Sequence, residues 1–177
     1  MKLRTPVNEK DHKQGEVIAP LILLEYGDYE CPHCAATHPV VKKLQAHFGP
    51  QLFFVFRNFP LSEMHPLALP AAYVAEASAL QDKFWPVHDL IFENQDLLST
   101  AQLLDWARSA GANMPKLEKD IRSEAILDKV ENDFEGGMRS GVNGTPGFFI
   151  NENRYDGAYV YEHLKKALET ILHSEKK

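Results

Sequence analysis

Two short apolar runs on either side of an amphipathic segment constrain the fold of this chain more than any other feature. Residues 21–26 and 52–56 have the length and the aliphatic or aromatic content of buried strands. Between them, residues 33–48 place apolar side chains at helical spacing, and Gly49-Pro50 ends the pattern. A strand, a helix and a strand within about 40 residues predict a βαβ unit with parallel strands and a right-handed crossover.

Residues 63–140 have a different character, because helical periodicity dominates them. Gly111, Pro115 and Gly136-Gly137 separate the helical segments. The predicted helices span residues 65–80, 83–94, 100–110, 115–122 and 124–134.

The last part of the chain predicts a hairpin followed by a helix. Residues 147–151 have the pattern of a strand, and a turn at Glu152-Asn153 leads to a short partner strand near Arg154-Tyr155. The predicted final helix covers residues 160–173, and Lys176-Lys177 form a solvated tail.

The predicted order is therefore βαβ, helical insertion, ββα, which is an α/β fold. The N-terminal residues up to Pro20 are irregular apart from a short edge strand. Residues 1–62 and 141–177 form one discontinuous domain, and residues 63–140 form an inserted helical subdomain.

Composition and charge exclude several classes of protein. The 177 residues are 44% hydrophobic and 25% charged, as in a globular domain. Their formal charge of -6, from 19 basic and 25 acidic residues, argues against nucleic acid as a partner. No run approaches the roughly 18 apolar residues of a membrane helix, so no membrane association is expected. Residues 1–15 lack the apolar core of a secretory signal, which predicts a cytoplasmic protein.

Cys31-Pro32-His33-Cys34 follows the first predicted strand and opens the first predicted helix, and these are the chain's two cysteines. Positions i and i+3 share one side of a helix, so the two thiols can form a disulfide. Pro32 suits the first helical turn. A helix N-terminus favours a thiolate at Cys31, and a charged His33 favours it further. We therefore expect Cys31 to attack disulfides and Cys34 to resolve the mixed disulfide.

Two other interpretations of the cysteine pair are weaker. Inert buried cysteines at chance spacing would not require a strand-to-helix junction with Pro and His between them. A zinc site could use His33 and His38 as further ligands, but structural zinc usually has four ligands in paired motifs, and only one such motif is present. We expect neither a metal nor another cofactor.

Residues 23–34 (Leu-Leu-Glu-Tyr-Gly-Asp-Tyr-Glu-Cys-Pro-His-Cys) resemble the active-site segment of the DsbA-like family in the thioredoxin superfamily. Residues 54–66 are similar to the corresponding stretch of members that lack a signal peptide. The resemblance covers nearly the whole chain and is strongest at residues 21–66 and 141–151. It implies a thioredoxin-like fold with inserted helices and a thiol–disulfide oxidoreductase activity. Family members also occur fused to transporters; because this sequence ends just after its last predicted helix, nothing in it leads us to expect such a fusion.

The resemblance also implies roles for residues away from the cysteines. Pro146 matches the family's cis-proline, and the backbone of Thr145 would pair with a substrate chain. Gly147 departs from the family, which often has a β-former there. Glu25 matches a family acid that exchanges a proton with Cys34. An acid ending an apolar strand is seldom buried without a task, although Glu25 facing water or pairing with Lys42 remains an alternative.

Protein thiols and disulfides are the expected partners, with glutathione or a recycling reductase as further candidates. A non-catalytic peptide-binding or chaperone module could use the same groove. A glutathione-dependent enzyme of the kappa transferase type shares the inserted helices but has a different motif. An oxidising couple like that of DsbA would be held reduced in the cytosol, so we expect reduction, isomerisation or thiol homeostasis there.

Overall fold

The computed structural model describes residues 1–174, so the predicted tail at Lys176-Lys177 lies outside the described residues. The fold is a mixed five-stranded sheet with helices on both faces, which confirms the predicted α/β order of βαβ, inserted helices and ββα. The strand order is β1-β3-β2-β4-β5. The strands are β1 (His12–Gln14), β2 (Leu21–Gly27), β3 (Leu52–Asn58), β4 (Gly147–Ile150) and β5 (Asn153–Tyr155).

The βαβ unit consists of β2, helix α1 (Pro32–Phe48) and β3. Strands β2 and β3 are parallel and in register from Leu21 opposite Leu52 to Gly27 opposite Asn58. The cysteines follow the carboxyl end of β2, which is where open α/β sheets place their chemistry. Strand β1 pairs antiparallel with β3 at one edge, as the predicted edge strand requires.

Five α-helices lie between β3 and β4 in the chain, within the region predicted to be the helical insertion. That they form a subdomain of their own stays a prediction. They are α2 (Ala68–Ala79), α3 (Phe84–Glu93), α4 (Thr100–Ser109), α5 (Met114–Asp120) and α6 (Glu124–Arg139). Among residues 1–174, no helix has the length and apolar character needed to span a membrane.

The prediction that Gly136-Gly137 ends a helix is wrong, because α6 runs through both residues. Their small size serves packing instead. A Cβ atom on Gly137 would lie 2.6 Å from a ring carbon of Phe59, and one on Gly136 would lie 3.2 Å from the Thr5 hydroxyl. The chain leaves the helix at Gly141, whose φ of 80° suits glycine.

The hairpin turn is displaced by one residue from its predicted position. Asn151 and Glu152 form the two-residue connection between β4 and β5, with φ angles of 42° and 68°. Positive φ at both central positions is typical of a type I′ hairpin turn. Helix α7 (Tyr161–Ser174) completes the described chain.

Alternation along β2 divides its side chains between two cores. Leu24 and Tyr26 belong to a smaller apolar cluster on one face. Leu21 and Leu23 belong to the larger cluster on the other face, which also contains both cysteines. Glu25 has the same parity as Leu21 and Leu23, so its carboxyl lies on the cysteine side of the sheet.

Arg57 on β3 anchors the N-terminal segment through a buried ion pair. Its Nε and Nη2 donate to the two carboxylate oxygens of Asp11 at 2.7 and 2.8 Å. Nη1 also donates to the Tyr26 hydroxyl and to the Thr5 carbonyl, and Nη2 donates to the Pro6 carbonyl. Arg57 is 2% exposed, so its charge depends on these partners in place of water.

We expect Arg57→Met to lower the free energy of unfolding by about 3–5 kcal/mol, because Asp11 would keep a buried, unpaired charge. Urea unfolding followed by circular dichroism measures the change. Arg108→Met is the matched control, since the Arg108–Asp105 pair is exposed and should contribute less than about 1 kcal/mol. Equal losses in the two variants would contradict this account.

Candidate active site

Cys31 occupies the N-cap position of α1, and Pro32 is the first helical residue. The backbone of Cys31 is extended, with φ -72° and ψ 120°, so its side chain is placed beside the free N–H groups of the first turn. Cys34 lies one turn further along and is fully buried. Both cysteines are free thiols here, and their side chains hydrogen-bond to each other.

The surroundings of Cys31 lower the pKa of its thiol to about 5. The largest cause is the hydrogen bond from the Cys34 side chain, and burial opposes it. The pKa is lowered further by hydrogen bonds from the Thr145 side chain and from the backbone N–H groups of Cys34 and His33. At neutral pH Cys31 is therefore a thiolate, the form that attacks disulfides.

The pKa of Cys34 moves in the opposite direction, well above that of a free thiol. Burial is the largest cause, followed by the hydrogen bond to Cys31 and the negative charges of Glu25 and Cys31. The Asp28 N–H, 3.4 Å from the Cys34 sulfur, opposes the rise. One cysteine is thus held as the anion and the other as the neutral thiol.

Glu25 is 3% exposed, so the alternative in which it faces water is wrong. Lys42 does not pair with it either, because the Lys42 ammonium lies 2.7 Å from a carboxylate oxygen of Asp89. Burial, and then the charge of Cys31, raises the pKa of Glu25 to about 8. Near neutral pH this carboxyl can both hold and release a proton.

Thr145 and Pro146 meet the cysteines across the sheet from a different part of the chain. The Cys31 sulfur lies 3.4 Å from the Thr145 carbonyl oxygen, to which the thiol form donates. The peptide bond between Thr145 and Pro146 is cis. The Thr145 hydroxyl is buried and has no other hydrogen-bond partner within the described residues, so it is free to serve the interaction with Cys31 that helps to lower the pKa of that thiol.

The residues between the cysteines are exposed. Pro32 and His33 both face the surface, and the His33 contribution to the low pKa of Cys31 comes from its backbone N–H. A role for the His33 imidazole stays a prediction.

Gly147, where the sequence departs from the family pattern, is the first residue of β4. It lies close to Val142, because a Cβ atom added to Gly147 would be 3.1 Å from Cγ1 of that valine.

Asp28 was missed by sequence reasoning, although it organises the turn that carries Cys31. Its Oδ1 accepts hydrogen bonds from the N–H groups of Glu30 and Cys31, at 2.8 and 3.2 Å. Its Oδ2 accepts from the Leu61 N–H and from His65 Nδ1, both at 2.8 Å. Aspartate at this distance before a helix is typical of a side chain that satisfies free N–H groups, and that signal could have found it.

Two further side chains join the turn to the region between β3 and β4. The Gln95 amide donates to the backbone carbonyls of Tyr29 and Cys31, at 2.8 and 3.0 Å. The Glu30 carboxylate accepts from the N–H of Leu67. No sequence pattern indicated these contacts, because they join residues far apart in the chain.

His38, His88 and Asp89 form the group among the described residues that could hold a metal ion. Their ligand atoms lie within 4.8 Å of one another, and neither cysteine belongs to the group. The Lys42 ammonium contacts Asp89, and the Tyr29 hydroxyl lies 3.0 Å from His88 Nδ1. The zinc set weighed from the sequence, in which His33 and His38 join the two cysteines, is not brought together within residues 1–174.

Comparison with known proteins gives the family of this chain. A family described as thioredoxin matches residues 7–170. The chain belongs to this thioredoxin family. Curated relatives include the Na⁺/H⁺ antiporter NhaA 1 of Mycolicibacterium vanbaalenii, 39% identical over 172 residues, and NhaA of Herminiimonas arsenicoxydans, 36% identical over 170 residues. Each match covers 96% of this chain but only 28% and 27% of these relatives, so the chain spans little more than a quarter of their length.

Solved structures with the same fold cover the chain almost completely. BdbD of Bacillus subtilis superposes with a TM-score of 0.84 and 24% identity, covering 95% of this chain and 96% of its own. Wolbachia pipientis alpha-DsbA1 gives a TM-score of 0.84 at 21% identity, covering 97% and 95%. The catalytic domain of Proteus mirabilis ScsC gives a TM-score of 0.81 at 21% identity, and the superposition covers 94% of this chain and 91% of that domain. These likenesses show the fold of this thioredoxin-family chain.

We expect Glu25→Gln to stabilise the reduced protein increasingly as the pH rises from 4.5 to 8. In this range the unfolded Glu25 ionises while the folded carboxyl keeps its proton, so the parent loses stability and the Gln variant does not. The difference should reach the order of 3–5 kcal/mol at pH 8. Urea unfolding at pH 5 and pH 8 measures it, and Glu118→Gln on the exposed face of α5 is the control. A difference independent of pH would refute the raised pKa.

Proposed function

We propose that this chain is a thiol–disulfide oxidoreductase that acts on protein or small-molecule disulfides through Cys31 and Cys34. The observation that carries the proposal is the opposite shift of two thiols in contact, with a low pKa at Cys31 and a high pKa at Cys34. A structural pair of buried cysteines has no need of this difference, whereas a nucleophile and its resolving partner depend on it.

The proposed reaction proceeds in two exchanges. The Cys31 thiolate attacks one sulfur of a substrate disulfide and forms a mixed disulfide, and the other substrate sulfur leaves as a thiolate. Cys34 then loses its proton and attacks the Cys31 sulfur. The second substrate thiolate leaves, and Cys31 and Cys34 are joined in a disulfide. Two electrons pass from the protein to the substrate, and the reverse sequence oxidises a substrate dithiol.

Glu25 is proposed to take the proton of Cys34 in the second exchange. The negative charge of Glu25 is among the causes of the high pKa of Cys34, which places the two groups in electrostatic contact. Once ionised, Glu25 is a better proton acceptor than an ordinary carboxylate, because burial raises its pKa. In the mixed disulfide Cys31 no longer carries the charge that helps to raise this pKa to about 8, so Glu25 ionises more readily at the step in which Cys34 must lose its proton. Bulk water cannot take this role easily, because Cys34 is fully buried.

Thr145 and Pro146 are proposed to hold the substrate backbone beside Cys31. The Thr145 carbonyl already lies at hydrogen-bond distance from the reacting sulfur. An extended peptide can pair with this backbone as an added strand, so protein thiols and disulfides are the proposed partners. The proteins of similar structure include a thioredoxin-like oxidoreductase and a thiol-disulfide exchange protein, which supports the same chemistry. Glutathione or a reductase is proposed to recycle the pair.

We propose that the redox potential of the surrounding compartment decides whether the protein mainly reduces or mainly oxidises its substrates. A stabilised thiolate at Cys31 favours the dithiol and makes the couple oxidising, as in DsbA near -120 mV. In a cytosol near -260 mV, a gap of about 140 mV would favour the dithiol by four to five decades. For the proposed cytoplasmic setting, we therefore propose reduction or isomerisation of substrates.

We expect Cys31→Ser to abolish catalysed reduction of insulin, because no thiolate remains to attack. Cys34→Ser should instead accumulate mixed disulfides with its substrates, since the resolving thiol is missing. Turbidity measures insulin reduction, and non-reducing gels with mass spectrometry identify the trapped partners. If Cys31→Ser still reduces insulin, or if the parent does not, the oxidoreductase proposal fails. Equal peptide binding by a parent and a Cys31→Ser variant that both fail to reduce insulin would favour a peptide-binding module.

We expect Glu25→Gln to slow resolution of the mixed disulfide by roughly 100-fold at pH 7, since a positioned proton acceptor is lost. Rapid-quench analysis of a preformed mixed disulfide measures this step. The first attack by Cys31 on a small disulfide is the internal control and should change far less. An unchanged resolution rate, together with an unchanged pH profile of Cys34 alkylation, would end the proposed role of Glu25.

A further inference from the structure

Asp28 bridges the nucleophilic cysteine and a histidine that the proposed reaction has not used. One carboxylate oxygen accepts from the Cys31 N–H at 3.2 Å, and the other accepts from His65 Nδ1 at 2.8 Å. His65 therefore lies two hydrogen bonds from the backbone of the reacting residue. The Leu61 N–H donates to the same oxygen as His65, which fixes the approach of this segment to the turn.

The negative charge of Asp28 opposes ionisation of the Cys31 thiol, and a protonated His65 can balance that charge. Asp28 is 1% exposed, so water screens its carboxylate poorly. A carboxylate bonded to the Cys31 N–H disfavours a second negative charge on the nearby sulfur. A protonated imidazole on the other carboxylate oxygen balances that charge and makes the pair neutral as a whole.

The groups that face His65 favour its protonated form. They are Asp28, Cys31 and Glu30, and each of them is negatively charged in its ionised form. Burial of the ring opposes protonation, but the hydrogen bond and charge of Asp28, with the charges of Cys31 and Glu30, raise the pKa of His65 above its usual value. Because electrostatic coupling is reciprocal, the His65 cation must stabilise the Cys31 thiolate in turn.

We propose that His65, held by Asp28, is a positioning residue whose positive charge stabilises the Cys31 thiolate. The inference rests on the proposed thiol–disulfide function and adds a group to its site. His65 acts through Asp28 and through its field, and it does not touch the reacting atoms. As the pH rises through the pKa of His65, the cation is lost and the stabilisation of the thiolate falls. The dithiol–disulfide equilibrium then shifts toward the disulfide more than the titration of Cys31 alone requires.

Three substitutions separate the charge of His65 from its hydrogen bond. His65→Asn places an amide N–H where Nδ1 donates to Asp28 but removes the charge. His65→Ala removes both, and His65→Lys keeps a cation beside Asp28. His163→Gln is the control for loss of an exposed histidine on α7. Thermal unfolding verifies that each variant is folded before its thiol is titrated.

The measurement is the thiolate absorbance at 240 nm of the reduced protein against pH, with the glutathione equilibrium at pH 7 as a second readout. We expect the parent and His163→Gln to titrate near pH 5. His65→Asn and His65→Ala should raise the pKa of Cys31 by about half a unit to one unit, and His65→Lys should restore the low value. A half-unit rise corresponds to about a threefold shift toward the disulfide.

The outcomes distinguish this inference from the function on which it rests. If the parent itself titrates like free cysteine, near about pH 8.5, the proposed function fails. If the parent titrates near pH 5 and His65→Asn matches it, His65 is only a hydrogen-bond donor and the inference is overturned. Equal pKa rises in all three variants, with lysine included, would also overturn it, because the charge would then have no effect.

Discussion

The active-site turn between β2 and α1 depends on one buried carboxylate. Asp28 accepts four hydrogen bonds, two from the turn itself and two from the segment after β3. These bonds help to fix the N-cap conformation of Cys31 and hold His65 against the turn. The strands bring the cysteines to the correct edge of the sheet, and Asp28 converts that edge into a defined site.

A second feature of the site is that two chemically identical thiols have pKa values shifted in opposite directions. Cys31 lies where the helix N-terminus and the Cys34 side chain stabilise an anion. Cys34, three residues further along, lies in the core beside Glu25, where an anion is disfavoured. The fold creates this difference by placing Cys31 at the start of a helix, in contact with Cys34, and by burying Cys34 one turn further along. A single turn of backbone therefore separates an ionised thiol from a neutral one.

Sequence patterns predicted the elements well because the strands are short apolar runs and the helices are periodic. The strand-to-helix position of the cysteines and the burial of Glu25 followed from local patterns and from resemblance. Asp28, His65 and Gln95 were missed, because their roles depend on hydrogen bonds between segments that only the tertiary structure brings together. Gly136-Gly137 led to a wrong prediction of a helix end. Glycine often ends a helix, but here it lies inside one, where its small size permits close packing against Phe59.

The contact of Gln95 with the backbone of the redox motif has a consequence for how such proteins diversify. Its amide donates to the carbonyls of Tyr29 and Cys31, so the region between β3 and β4 is a structural part of the motif. Replacing that region by one without a donor at position 95 would remove two hydrogen bonds from the backbone that carries the reactive sulfur, even with every residue of the motif unchanged. Chimeras that keep the four-residue motif but replace the helices above it should therefore not be regarded as having the same redox centre.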